Sequence, residues 1–261
     1  MAKTPCEIVQ AARSLAKGSA YEFIDHIFED FIEFHGDRYA GDDKAVVGGI
    51  AYLKDIPITV IGIQKGRNLN ENVQTRFGSP SPEGYRKALR LMRQGEKFNR
   101  PIITLINTPG AFCGVEAEQR GEGEAIAKNL LAMSHLKVPI IAIITGEGGS
   151  GGALALALAD EVWMLEHSIY SILSPEGFAS ILWKDSKRSE EAAEIMKLTP
   201  TDLKGSNIID KIIKETDENN LFSMRETGKR ISTDLLKTLK KLQRQNVDEL
   251  IEKRYLKYRV F

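Results

Sequence analysis

The 261-residue sequence is poor in cysteine, with only Cys6 and Cys113. Two thiols so far apart make neither a disulfide framework nor a zinc-ligand cluster. It carries no net charge, 36 Lys and Arg balancing 36 Asp and Glu. That balance argues against a surface tuned as a whole for DNA or an anionic membrane, so nucleic acid is not an expected partner. It also has no long apolar run. The longest, residues 140–144 and 153–159, fall well short of the roughly 20 residues that span a bilayer. The start, Met1-Ala2-Lys3-Thr4-Pro5, lacks an apolar core leading to a cleavage site. No stretch is rich enough in Pro, Gly or Ser to act as a linker. These absences predict a cytoplasmic protein with one domain over residues 1–261, no membrane contact and no metal of its own.

Apolar spacing supplies the elements. Phe23, Ile24, Ile27, Phe28 and Phe31 recur at three- and four-residue intervals, predicting helix through residues 5–35. Residues 44–53 and 57–63 read as strands. Residues 64–84 hold glycine, proline and charge with little apolar periodicity and read as a long loop, a feature usually functional or disordered in a compact domain. Ser81 and Pro82 read as the N-cap and first residue of a helix. Its buried stripe is Tyr85, Ala88, Leu89, Met92 and Phe98, with Arg86, Lys87, Arg90, Arg93 and Lys97 on the other side. A strand at 101–106, a loop at 107–110, a helix at about 121–135 and a strand at 139–145 follow. A glycine turn, a helix at about 150–159, strands at 161–165 and 169–173, and a helix capped by Ser174 come next. The strands are apolar throughout, as in an α/β sheet covered on both faces. The charged tail from about Asn219 reads as helices that pack on a partner or lie in solvent.

The densest signal is Gly146-Glu147-Gly148-Gly149-Ser150-Gly151-Gly152, five glycines in seven residues. Glycine loses more backbone freedom on folding than any other residue, so this density needs a cause. Three causes stand side by side. The glycines can simply permit a tight strand-to-helix turn. Gly146, Gly148 and Gly151 also satisfy a dinucleotide fingerprint, with Glu166 about twenty residues on where a ribose-binding acid belongs. Against that, the following helix is short, the turn comes late in the chain, and no P-loop lysine is present. Third, unshielded N–H groups at the helix start can form an oxyanion hole.

The motifs around this segment bear on the choice. GEGGSGGA at 146–153 occurs with DR at 37–38, DDKAVVGGI at 42–50 and GIQKGR at 62–67. FG at 77–78, PEGYRKALRLM at 82–92, TPGA at 108–111, EAIA at 124–127, SPEG at 174–177 and ASILWK at 179–184 follow in order. From about residue 20 to 215 the sequence resembles the alpha subunits of bacterial acetyl-CoA carboxylase carboxyltransferases. The resemblance implies an α/β fold of the crotonase (ClpP/crotonase-like) type, a superhelix of ββα units. The core would cover 44–215, between N-terminal helices over about 1–40 and C-terminal helices over 219–261. It implies transfer of a carboxyl group from carboxybiotin, on a biotin carboxyl carrier protein, to acetyl-CoA, giving malonyl-CoA for fatty-acid synthesis. It further implies no covalently bound cofactor, and a beta subunit bearing the zinc as partner in an α2β2 heterotetramer. A separate biotin carboxylase would consume the ATP.

Carried onto this sequence, the resemblance places the catalytic N–H groups on Gly151 and Gly152, with Gly148 and Gly149 shaping the turn or sharing the role. Gly110 and Ala111 would line the opposing wall. Ser150, Glu147, Lys65, Arg67 and Arg76 are the further biotin- or substrate-binding candidates, and Arg86 and Lys87 are candidates for phosphate contact. Relatives often carry Asp-Thr-Pro-Gly-Ala-Tyr where this chain has Asn107-Thr108-Pro109-Gly110-Ala111-Phe112, so no role can rest on that acid or phenol here. Longer relatives have an N-terminal helical extension that this chain lacks. The alternatives are another crotonase-fold acyl-CoA enzyme, which needs a placed Glu or a Ser–His pair, and a dinucleotide-binding protein. Ser174 reads as a helix cap, and His26 and His35 as packing or surface residues.

Overall fold

The computed structural model describes residues 3–217 and 221–260. The boundary expected at Asn219 lies outside them. One sheet organises the chain: strands β1 (Glu29–Glu33), β2 (Val46–Leu53), β3 (Ile56–Ile63), β4 (Ile102–Thr108), β5 (Ile140–Gly149), β6 (Glu161–Leu165), β7 (Ile169–Ser171) and β8 (Lys211–Ile213). The order is β1-β2-β3-β4-β5-β6-β8, with β7 paired to the far end of β5. β1, β2 and β3 are antiparallel neighbours, and every later pairing among these strands is parallel.

Helices cover both faces. They are α1 (Pro5–Arg13), α2 (Ala20–Ile27), α3 (Leu69–Gln74), α4 (Pro82–Lys97), α5 (Val115–Gln119) and α6 (Glu122–His135). α7 (Ser150–Ala157), α8 (Pro175–Trp183), α9 (Ser189–Ile195), α10 (Pro200–Gly205), α11 (Met224–Leu242) and α12 (Val247–Arg259) complete the set. Side chains alternate across each strand, so β5 sends Ile141 and Ile143 into one core with Phe23 of α2 and Leu235 of α11. Ile140, Ala142 and Ile144 enter a second core with Met92 of α4, Met133 of α6 and Leu156 of α7. Every residue of β4 is buried, which is why the central strands read as apolar runs.

Four expectations are corrected. The helix predicted over residues 5–35 stops at Ile27: Phe28 is extended, and residues 29–33 form β1, paired antiparallel with β2. Residues 64–84 hold α3, capped by Asn68, and a 3-10 turn at Arg76–Gly78. On α4, Phe98 is exposed while Lys87 is buried. The Lys87 ammonium donates to Asp42 at 2.6 Å and to the carbonyl of Asp43 at 2.9 Å, so the 42–43 segment covers what a lone helix would expose. Finally, the charged tail packs on the fold. Ile231, Leu235 and Leu239 of α11 are fully buried. Arg254 of α12 donates to both carboxylate oxygens of Asp160 and to the carbonyls of Met133, Leu136 and Val138. Among the described residues, no helix is long and apolar enough to cross a membrane.

Candidate functional site

The glycine segment is mostly strand. Gly146, Gly148 and Gly149 belong to β5, and the reversal falls on Ser150, the first residue of α7, at φ +52°. A non-glycine residue there costs on the order of 1 kcal/mol, so the surroundings hold a tight corner in place. Steric crowding explains four of the five glycines. A Cβ on Gly146 would lie 2.5 Å from Oδ1 of Asn107, and one on Gly148 2.9 Å from the ring of Tyr170 in β7. On Gly149 it would lie 2.1 Å from the carbonyl oxygen of Pro109, and on Gly152 2.4 Å from the backbone nitrogen of Ala111. Gly151 differs, since its nearest contact would be 3.9 Å away at Ile126.

These close approaches press the loop after β4 against the start of α7. Gly110, at φ +150°, has no neighbouring atom within 4 Å of a Cβ position. Its N–H donates to the hydroxyl of Thr108, which itself donates to the Gly110 carbonyl. Tyr85, fully buried on α4, donates its hydroxyl to the carbonyl of Gly152 at 3.2 Å. The geometry of a helix start leaves the N–H groups of Ser150, Gly151 and Gly152 without intrahelical acceptors. Gly110 therefore borders open space, and Gly151 has only the end of the Ile126 side chain at 3.9 Å from its Cβ position, beside backbone donors at the positive end of a helix dipole.

Glu147 stands inside this segment, buried, with each carboxylate oxygen taken by a different cation. Arg13 of α1 donates from Nε at 2.8 Å, and Lys65, just after β3, donates at 2.9 Å. Arg13 also forks onto both oxygens of Glu176 at the start of α8, at 2.7 and 3.1 Å. That bond, ahead of any burial effect, holds the Glu176 carboxyl at about 2. The Glu147 N–H donates to Oδ1 of Asn107 at 3.0 Å. Arg13, Glu147, Gly148 and Gly149 line a small cavity of about 60 Å³.

A family model described as acetyl co-enzyme A carboxylase carboxyltransferase-like matches residues 2–261. The chain belongs to this carboxyltransferase family. It is 59% identical to the acetyl-coenzyme A carboxylase carboxyl transferase subunit alpha of Clostridium acetobutylicum, over 98% of this chain and 93% of that one. It is 58% identical to a protein of Clostridium tetani named for subunits beta/alpha, covering 95% of this chain and 43% of that one. Among solved structures, a transcarboxylase 12S matches with a TM-score of 0.69 at 20% identity, over 87% of this chain and 44% of that chain. A Pseudomonas malonate decarboxylase hetero-tetramer in complex with coenzyme A matches with a TM-score of 0.69 at 15% identity, over 93% and 92%. At these identities the likeness speaks for the fold, which is the crotonase-type α/β architecture expected of a carboxyltransferase.

Within this carboxyltransferase fold, Gly148, Gly149, Ser150, Gly151, Gly152, Gly110, Ala111, Glu147 and Lys65 gather in one place. Arg76 lies at its edge, donating to Asp43 at 2.9 Å with its guanidinium 5.2 Å from the centre of the Phe112 ring. Arg67 is mostly exposed and pairs with Glu71; it also lines a separate cavity of about 450 Å³ with Lys44 and Gln74. Arg86 is tied to Asp37 at 2.8 Å. The dinucleotide reading loses its acid, because Oε1 of Glu166 accepts from the N–H groups of Glu215 and Thr216. Ser174 caps α8 by accepting from the Gly177 N–H.

Sequence reasoning missed Arg13 and Glu122. Arg13 is 134 residues from its partner in the motif, so no local pattern announces it. Glu122, the first residue of α6, is 4% exposed and neither carboxylate oxygen has a hydrogen-bond partner. Burial, then the charges of Asp43, Glu83 and Glu118, push its carboxyl up to about 8.

Proposed function

We propose that this chain supplies the carboxybiotin half of a carboxyltransferase site and, with a beta subunit, moves a carboxyl group to acetyl-CoA to form malonyl-CoA. The observation that carries the reading is the uncrowded backbone at Gly110 and Gly151, beside the first turn of α7, in a chain of this family. When carboxybiotin releases its carboxyl group, the ureido oxygen gains negative charge. Fixed backbone N–H groups stabilise such charge without titrating or reorganising. Gly151 and Gly152 donate to that oxygen, Gly148 and Gly149 set the strand end behind them, and Gly110 and Ala111 form the facing wall. The biotin anion takes a proton from the acetyl methyl group, and the resulting enolate carbon bonds to the released carboxyl carbon. The beta subunit holds the thioester oxygen.

Glu147 and Lys65 act from within their ion pairs to shape the segment, and Ser150 turns the chain into the helix. Arg76 and Arg67, nearer the surface, face the carrier protein or the beta subunit. The partners are the beta subunit in an α2β2 heterotetramer, the biotin carboxyl carrier protein and a separate biotin carboxylase that uses the ATP. Zinc belongs to the beta subunit, and the complex works in the cytoplasm. The beta/alpha relative supports a beta partner, since one chain there carries both names.

The test is Gly151→Val in the reconstituted pair, followed by malonyl-CoA decarboxylation with free biotin. A Cβ at this position meets only the end of the Ile126 side chain, at 3.9 Å, so the fold should survive and turnover should fall. Wild-type turnover by a folded variant overturns the carboxybiotin assignment of this segment.

A further inference from the structure

The charges around Glu147 give a role to a residue far outside the motif. Arg13 meets Glu147 through Nε, leaving both terminal nitrogens to bind the two oxygens of Glu176. One guanidinium thus joins α1, the end of β5 and the start of α8. A planar fork with donors in fixed directions suits this work, whereas a lysine is a single point charge.

The strand end that Arg13 holds has no slack. Two residues beyond Glu147, the Gly149 backbone sits so close to the Pro109 carbonyl that a Cβ would overlap it, and Gly152 is as tight against Ala111. A displacement of Glu147 therefore passes along residues 148–152 into the donors at the helix start. Lys65 restrains only the other oxygen of Glu147, so it does not replace Arg13.

We propose that Arg13 is a positioning residue for carboxyl transfer, acting through Glu147 on the backbone of residues 148–152. This rests on the assignment of carboxybiotin to that segment.

The experiment uses the full chain reconstituted with its beta subunit and measures biotin-dependent decarboxylation of malonyl-CoA. The variants are Arg13→Gln, Arg13→Lys, Glu147→Gln and the Arg13→Gln/Glu147→Gln double. Arg13→Gln is expected to lower kcat/KM for biotin by on the order of tenfold to a hundredfold. The KM for malonyl-CoA stays unchanged and Arg13→Lys recovers part of the loss. In the Glu147→Gln background, Arg13→Gln costs far less than in the wild type, because the Arg13–Glu147 link is already gone and only the Arg13–Glu176 pairing is left to lose. Wild-type biotin kinetics in Arg13→Gln, or losses that multiply in the double variant, overturn the proposal. So does an equal loss in both substrates' parameters with a lowered Tm, which reports a role in the fold alone. Gly151→Val keeps the two claims separate. If it retains biotin-dependent turnover, the carboxybiotin assignment fails; if it loses turnover while Arg13→Gln keeps it, only the role of Arg13 fails.

Discussion

The hydroxyl of Tyr85 donates to the carbonyl of Gly152 at 3.2 Å, and a Cβ on Gly152 would approach the same hydroxyl to 2.9 Å. Tyr85 therefore both holds the first turn of α7 and forbids a side chain on it. Tyr85→Phe keeps the packed ring and loses one hydrogen bond, an expected cost of about 1 kcal/mol in urea unfolding.

Adjacent glycines should respond in opposite ways. Gly152→Ala drives a methyl into the backbone at Ala111, which cannot yield as a flexible side chain would, and the variant should be destabilised by a few kcal/mol. Gly151→Ala meets nothing closer than 3.9 Å and should melt within a few degrees of wild type. Calorimetry on the two variants decides it; equal destabilisation would mean the corner is built differently.

Glu122 predicts a pH dependence with a definite sign. Its carboxyl sits at about 8 in the fold, above the unfolded value near 4.5, so the folded state holds a proton that the unfolded chain releases first. Stability is then full below about pH 4.5, falls as pH rises toward 8, and levels off above it. Glu122→Gln removes this slope. It should be the more stable form at pH 8, by on the order of 3 kcal/mol relative to the comparison at pH 5. Denaturant titrations of both proteins at pH 5, 6.5 and 8 measure it, and parallel pH profiles would refute it.

Arg254 is buried with Nε and both terminal nitrogens engaged by Asp160 and three carbonyls. Arg254→Ala takes a donor from each of those carbonyls and the counter-charge from a buried carboxylate, an expected loss of roughly 3–5 kcal/mol. Arg254→Lys should recover only part, since an ammonium cannot span the same acceptors. Urea unfolding of the two variants gives the comparison.

Part of this was legible in the chain itself. The apolar runs at 101–106 and 139–145 announce strands covered on both faces, and Ser81-Pro82 and Ser174-Pro175 announce helix starts, because these signals are local. The motifs from 42–50 to 179–184 placed the chain in its carboxyltransferase family. Other features depend on partners distant in sequence. Residues 29–33 carry a helical spacing yet form a strand, because β2 offers them an edge to pair with. Lys87 looks like the outer face of a helix until Asp42 and the Asp43 carbonyl close over it.

The glycine segment divides along the same line. Its composition required that backbone approach something closely. Only the tertiary structure showed that Gly146, Gly148, Gly149 and Gly152 meet the chain's own Asn107, Tyr170, Pro109 and Ala111, leaving Gly110 facing open space and Gly151 with only Ile126 in ordinary contact. A sequence registers that a side chain is missing. Which neighbour would have struck it is fixed by packing between segments tens of residues apart.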